Sequence, residues 1–146
     1  MKTILFIFSC ILIGLNSKAQ KSEIIIDSLQ TKSSLFSKSL IWVTKSWKNS
    51  ENVIELKDEA SGTIIIKGNL ATTNRNHDIT KSTITLSVKD GKAKILFENT
   101  YLYNPGFTKT YEKPGAFYTK WRDEVSIEID NLIIDYKKAL LTKNDF

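Results

Sequence analysis

Hydrophobic and polar positions alternate most cleanly in "STITLSVKDGKAKILFENTYLY", residues 82–103. Ile84, Leu86 and Val88 alternate with Thr83, Thr85 and Ser87, and the pattern resumes after Asp90-Gly91 at Ala93, Ile95 and Phe97. A period of two predicts strands with one buried face, and Asp-Gly between two such runs predicts a hairpin turn. "SEIIID", residues 22–27, predicts a short strand that is buried on both faces or lies at an edge. From Ser33 the period lengthens: Phe36, Leu40, Val43 and Trp47 recur at helical spacing, Leu35 and Trp42 widen the stripe, and Thr31 or Ser33 can cap the start. "NVIEL" and "TIIIKGNL" read as strands on either side of the turn Asp58-Glu59-Ala60-Ser61-Gly62, and polar residues 69–81 read as a loop.

Residues 104–117 hold both prolines and predict a long irregular connection. Over residues 119–143 a second helix is predicted, with Trp121, Val125, Ile129, Leu132, Tyr136 and Leu140 on one stripe. Lys120 and Glu124 form a favourable pair four residues apart, and Glu124 and Glu128 read as solvent-side charges. The order strand, helix, four strands, helix predicts an α+β fold: one antiparallel sheet with two helices on a single face. The opposite face should then carry Lys67, Thr83, Thr85, Ser87, Lys89, Lys94 and Glu98, mostly hydroxyls with a few charges.

The first residues follow a different logic. Lys2 precedes an apolar run from Ile4 to Leu15, then small and polar residues up to Ser17-Lys18-Ala19. That is the layout of a secretory signal peptide. As a helix the run spans about 18 Å, short of a hydrocarbon core of about 30 Å. Cleavage is expected between Ala19 and Gln20, leaving residues 20–146 as a single α+β domain in the periplasm or outside the cell. Cys10, the one cysteine, leaves with the signal, so disulfide and thiolate chemistry are not expected of the mature chain. Loss of Lys2 and Lys18 leaves 19 basic against 16 acidic groups, a net charge of +3. So mild an excess is no nucleic-acid footprint.

Candidate chemistry is sparse. Asp58 and Glu59 precede Gly62, but a phosphate-binding glycine loop opens a helix, and here Thr63 to Ile66 predict a strand. His77 is the single histidine, beside Asp78; zinc would need further ligands at workable spacing, so no metal or cofactor is expected. Asp58, Glu59, Asp123, Glu124 and Glu128 could converge as a hydrolytic carboxylate pair only if the fold brings them together. The aromatic stretch carries more weight. Tyr101, Tyr103, Phe107, Tyr111, Phe117, Tyr118 and Trp121 are seven of the thirteen aromatics that remain once Phe6 and Phe8 are removed. Tyr and Trp combine broad apolar area with a polar tip, which suits partner contact. Equally, they could fasten the long connection over an open end of the sheet.

The tryptophan-bearing "SLIWVTKSW", the strand-turn-strand "VIELKDEASGTIIIKG" and the hairpin "LSVKDGK" together resemble an uncharacterised family of secreted bacterial proteins. That family is a domain of unknown function with a TBP-like (TATA-binding-protein-like) fold. The resemblance spans about residues 30 to 103 and implies the fold; it brings no catalytic residue, and shape alone confers no function. A minor-groove binder needs apolar wedges crowded by Arg or Lys, which the expected polar face does not supply. The leading expectation is an exported, non-catalytic domain that binds or assembles with an envelope protein or glycan, through Tyr101, Tyr103, Phe107, Tyr111 and Trp121 or the polar sheet face. Membrane contact is expected only through the cleaved signal. The alternatives are a binder of a small apolar ligand held between helices and sheet, and a hydrolase of unknown substrate.

Overall fold

A computed structural model describes residues 22–72, 78–104, 106–111 and 118–142. Within them the chain forms β1 (Ser22–Asp27), α1 (Lys32–Ser46), the single turn α2 (Ser50–Val53), β2 (Ile54–Asp58), β3 (Thr63–Leu70), β4 (Ile79–Lys89), β5 (Lys92–Asn104), β6 (Phe107–Thr110) and α3 (Thr119–Leu141). The strands make one antiparallel sheet in the order β1-β5-β4-β3-β2, and β6 also pairs with β5. As expected, the fold is α+β with the long helices on one face. Ile64, Ile66, Ile84, Leu86, Val88, Ile95 and Phe97 point into the core beneath them.

Three boundaries differ from the sequence expectation, each because a neighbour overrides local pattern. Ser50–Val53 forms a turn of helix before β2, so only the second half of "NVIEL" is strand. β3 and β4 extend into the polar stretch and pair Asn69 with Lys81 and Leu70 with Thr80. The inward hydroxyls there find partners: Thr72 with Thr80 at 2.7 Å, and Ser82 with Thr100 at 2.9 Å. The connection after Asn104 is not wholly irregular. β1 covers only Lys92 to Phe97 of the long β5, and β6 satisfies the free edge from Tyr101 to Asn104.

The question posed by Asp58 to Gly62 is answered at one end of the sheet. Asp58 accepts from the N–H groups of Ala60 and Ser61 at 3.0 and 3.3 Å, folding the turn on itself. Gly62 adopts φ +72°, and its carbonyl accepts from Val88 N at 2.8 Å. Next to it, the hairpin turn at Asp90-Gly91 clamps the chain between β1 and α1: Gly91 exchanges hydrogen bonds with Ser28 and Gln30, and Asp90 Oδ1 accepts from Lys32 N at 2.7 Å. That carboxylate sits where the start of α1 presents unsatisfied donors, and Thr31 Oγ1 takes another from Ser34 N. Both acid–glycine turns therefore position the first helix.

The two long helices meet along a polar-lined seam. Ser39 donates its hydroxyl proton to Leu35 O at 2.7 Å, so the 2.8 Å contact with Tyr136 Oη must be donated by tyrosine. Trp42, buried, meets Tyr136 with the rings tilted by 54° and 4.8 Å apart and meets Trp47 edge-on at 5.5 Å, while its indole N–H donates to Asp135. Trp47 in turn lies so close to β3 that a Cβ at Gly68 would stand 2.7 Å from the indole nitrogen.

Two outcomes follow from this packing. Gly62→Ala should destabilise by about 2 kcal/mol or more, because it combines a left-handed φ with a Cβ 2.2 Å from Val88 O; urea unfolding measures this, and an unchanged midpoint contradicts it. Burial pushes the Tyr136 phenol up to about 12, from 10.0, against the smaller opposing pull of Ser39. A phenol raised on folding stabilises fully below its unfolded value and loses that contribution as pH climbs from 10.0 to about 12. Tyr136→Phe should flatten this alkaline fall in stability; an identical alkaline slope in both proteins contradicts the assignment.

Candidate functional site

The acids do not assemble. Asp58 lies in the β2–β3 turn with its carboxyl below the ordinary range, drawn down first by hydrogen bonding from Ser61, side chain before backbone, and then by Ala60 and Lys32. Glu59 accepts from Ser33 Oγ. Glu124 and Glu128 sit on α3 towards the opposite end of β3, where Glu128 accepts from the backbone of Ala71. These two are half-buried rather than solvent-side, and burial raises the Glu128 carboxyl above its usual value. Glu124 pairs with Lys120 at 3.8 Å, as the spacing predicts. Among the described residues no three potential metal ligands gather; His77 and Phe117 lie outside the described residues.

The aromatic stretch divides by burial. Tyr111 and Trp121 are 4 % and 9 % exposed and pack edge-on, 6.1 Å apart. Trp121 Nε1 donates to Thr80 Oγ1 at 2.9 Å, and Tyr111 N donates to Thr100 O at 2.8 Å. They close the hydroxyl-lined end of the sheet, and so have little surface to offer a partner: their expected contact role gives way to a fastening one. Tyr103 and Phe107 remain 40 % and 41 % exposed. Tyr101 is half-buried on the uncovered sheet face, Lys81 Nζ lies 5.0 Å from the Tyr103 ring, and Phe107 meets Tyr118 at 6.4 Å.

The uncovered face is built by strand register. One row crosses five strands as Leu56, Ile65, Thr85, Leu96 and Glu23; the next runs Thr63, Ser87, Lys94 and Ile25; further along lie Lys67, Thr83 and Glu98, then Asn69, Lys81 and Tyr101. The expected hydroxyls and charges all take their places. What the sequence reading passed over is the apolar set Leu56, Ile65, Leu96 and Ile25. The signal was present: alternation that sends Ile95 and Phe97 inward must send Leu96 outward, and Ile65 stands between inward Ile64 and Ile66.

Its charges are largely matched within the face. Lys67 meets Glu55 at 2.7 Å, which raises the lysine pKa, and Lys94 meets Glu23 at 3.7 Å, as Lys92 does Asp27. Two shallow depressions break the surface. One, of about 440 Å³, includes Glu23, Ile25, Ser87, Lys92 and Lys94; the other, of about 310 Å³, includes Lys67, Asn69, Lys81, Thr83, Asn99 and Tyr101. The second follows a bulge in which Asn99 takes φ 50°, where the β4–β5 register slips between Lys81 and Thr83. Between helices and sheet, where an apolar ligand was the alternative, Phe36, Trp42, Phe97 and Tyr136 are buried.

The division of aromatic roles is measurable. Trp121→Ala should cost about 3 kcal/mol or more, as for other enclosed aromatics, whereas Tyr103→Ser should stay within about 1 kcal/mol. Thermal unfolding of the two variants checks this, and comparable losses in both would contradict it.

No curated protein matches the chain. Among solved structures, a protein of the DUF4468 family from Bacteroides ovatus superposes with a TM-score of 0.69 at 16 % identity, covering 86 % of this chain and 88 % of its own. A TBP-like protein from Parabacteroides distasonis gives 0.64 at 17 % identity, covering 86 % and 93 %. At such identities the likeness speaks for the fold. Among the described residues no helix is long and apolar enough to cross a membrane. A family model matches residues 21–102, more than half of the sequence, and the chain accordingly belongs to the domain of unknown function DUF4468, with a TBP-like fold.

Proposed function

We propose that this is an exported, non-catalytic binding module that docks an envelope protein on its uncovered sheet face. The observation that carries the reading is the cross-strand row Leu56, Ile65, Thr85 and Leu96, flanked by Ile25 and Tyr101, on a face that the helices leave free. Half-exposed aliphatic and tyrosine side chains among polar neighbours are the composition of protein interfaces. Lysines already matched to carboxylates there offer no excess positive field to a nucleic acid. Export rests on the leader-like first nineteen residues.

In cells, a photo-crosslinking amino acid in place of Thr85 should give a discrete protein adduct that disappears when Leu96→Lys is added. The same probe in place of Asn131 on α3 should give none. Adducts only from the helix, or an adduct from Thr85 indifferent to Leu96→Lys, would sink the docking surface. The mass of the protein recovered from the envelope should correspond to a chain beginning at Gln20; an intact amino terminus would remove the export reading.

A further inference from the structure

The helix layer carries a second surface, on the far side of the sheet from the one just described. From Ser28 to Ser50 the chain has four lysines, Lys32, Lys38, Lys45 and Lys48, and no carboxylate. Lys38 is committed to structure: its ammonium holds the last carbonyls of α3, Leu140 O at 3.0 Å and Thr142 O at 2.7 Å. That contact sets α1 against the C-terminal half of α3. A groove of about 270 Å³ runs between them, lined by Lys38, Ile41, Trp42, Lys45, Asp135 and Lys138 among others. Its one carboxylate, Asp135, already accepts from the Trp42 indole.

Beside this groove, exposed apolar side chains interrupt an otherwise polar outer surface. Ile41 is 49 % exposed on α1, and Ile127, Ile134 and Leu141 on α3 are 61 %, 65 % and 48 % exposed. The three on α3 recur at intervals of seven and therefore share one side of the helix, with Lys138 one turn beyond Ile134. Ile127 has Asp123 and Asp130 for neighbours on α3, whereas Ile41 and Ile134 stand nearer to Lys45, Lys137 and Lys138. Exposed aliphatic tips beside long, flexible ammonium groups are suited to one environment in particular. The aliphatic tips enter the boundary between headgroups and acyl chains, while the lysines extend to phosphate. An acidic protein would use the lysines but gains less from aliphatic tips standing without aromatic neighbours.

We propose that the outer face of α1 and the C-terminal half of α3 is a peripheral membrane-binding surface for anionic phospholipid. The contact goes beyond a leader sequence and leaves the uncovered sheet face directed away from the bilayer, towards a partner. It does not depend on the docking reading, since the two surfaces lie on opposite sides of the molecule.

The test is co-sedimentation of the purified processed protein with vesicles of phosphatidylglycerol and phosphatidylcholine, against vesicles of phosphatidylcholine alone. Binding should require phosphatidylglycerol and weaken as salt is raised. Lys45→Glu with Lys138→Glu should lower binding roughly tenfold or more, and Ile41→Asn with Ile134→Asn should lower it as well. A control, Lys89→Glu with Lys92→Glu, makes the same change in net charge at the hairpin and should leave binding intact. Absence of binding to phosphatidylglycerol vesicles would overturn the proposal, as would an equal loss in the control, which would mean that net charge alone is responsible. Vesicle binding that survives both paired substitutions on the helix face would overturn it too, as would protein adducts from probes at Lys45 in place of lipid binding. Failure here with Thr85 adducts retained would remove the membrane surface and leave the docking face standing.

Discussion

Two long helices can bury one side of a six-stranded sheet, and they bury that side only. Everything else follows from the pleat, which sends alternate residues of each strand to opposite faces. The inward set on β3, β4 and β5 is almost purely aliphatic near the turns, and α1 and α3 close over it. Their seam is then fixed by polar contacts that a slipped register would strand: Tyr136 on Ser39, Trp42 on Asp135, and Lys38 on the carbonyls at the end of α3. Buried donors without partners are costly, so these bonds select one docking of the helices more than they add gross stability.

The sheet is not uniform along its length. Towards the hairpin turns the inward residues are chiefly Ile, Leu, Val and Phe; beyond the bulge at Asn99, Thr80, Ser82 and Thr100 join Leu70 and Leu102. This mixed end holds hydroxyls for which an aliphatic layer alone offers no partner. It is closed by Tyr111 and Trp121, whose large rings cover area while the indole N–H serves Thr80. This explains why so many aromatics cluster late in the chain. Part of the cluster is a lid over hydroxyls, while Tyr101, Tyr103 and Phe107 remain at the surface.

Much of this was legible from residue order. The alternation around Asp90-Gly91, the stripe from Phe36 to Trp47 and that from Trp121 to Leu140 each follow from a period that local sequence dictates. The face of Thr83, Thr85 and Ser87 followed from the same alternation. The turn at Asp58 to Gly62 was readable because Gly62 precedes a β-branched run. β6 was not readable: Phe107–Thr110 is a strand because β5 offers it an edge, a fact that exists only in three dimensions. Nor was the burial of Glu128, which depends on where the loop after Leu70 crosses α3. The apolar content of the free face was within reach, since Leu96 and Ile65 are outward by parity. The continuous Ile run obscured it, because three consecutive isoleucines show no alternation by themselves. The outer stripe of α3 is a different matter: Ile127 and Ile134 fall outside the stripe from Trp121 to Leu140, and their exposure shows only once the helix is packed on the sheet.

The central claim is that one sheet face stays bare in the isolated protein and becomes covered in the cell. The measurement that reaches it most directly is reaction of a small maleimide with Thr83→Cys in a Cys10→Ser background, which removes the one natural cysteine. Labelling should be rapid on the purified protein and strongly suppressed in freshly prepared envelopes. Equal rates in both settings would mean that nothing covers this face, and the account of the protein as a docking module would be wrong.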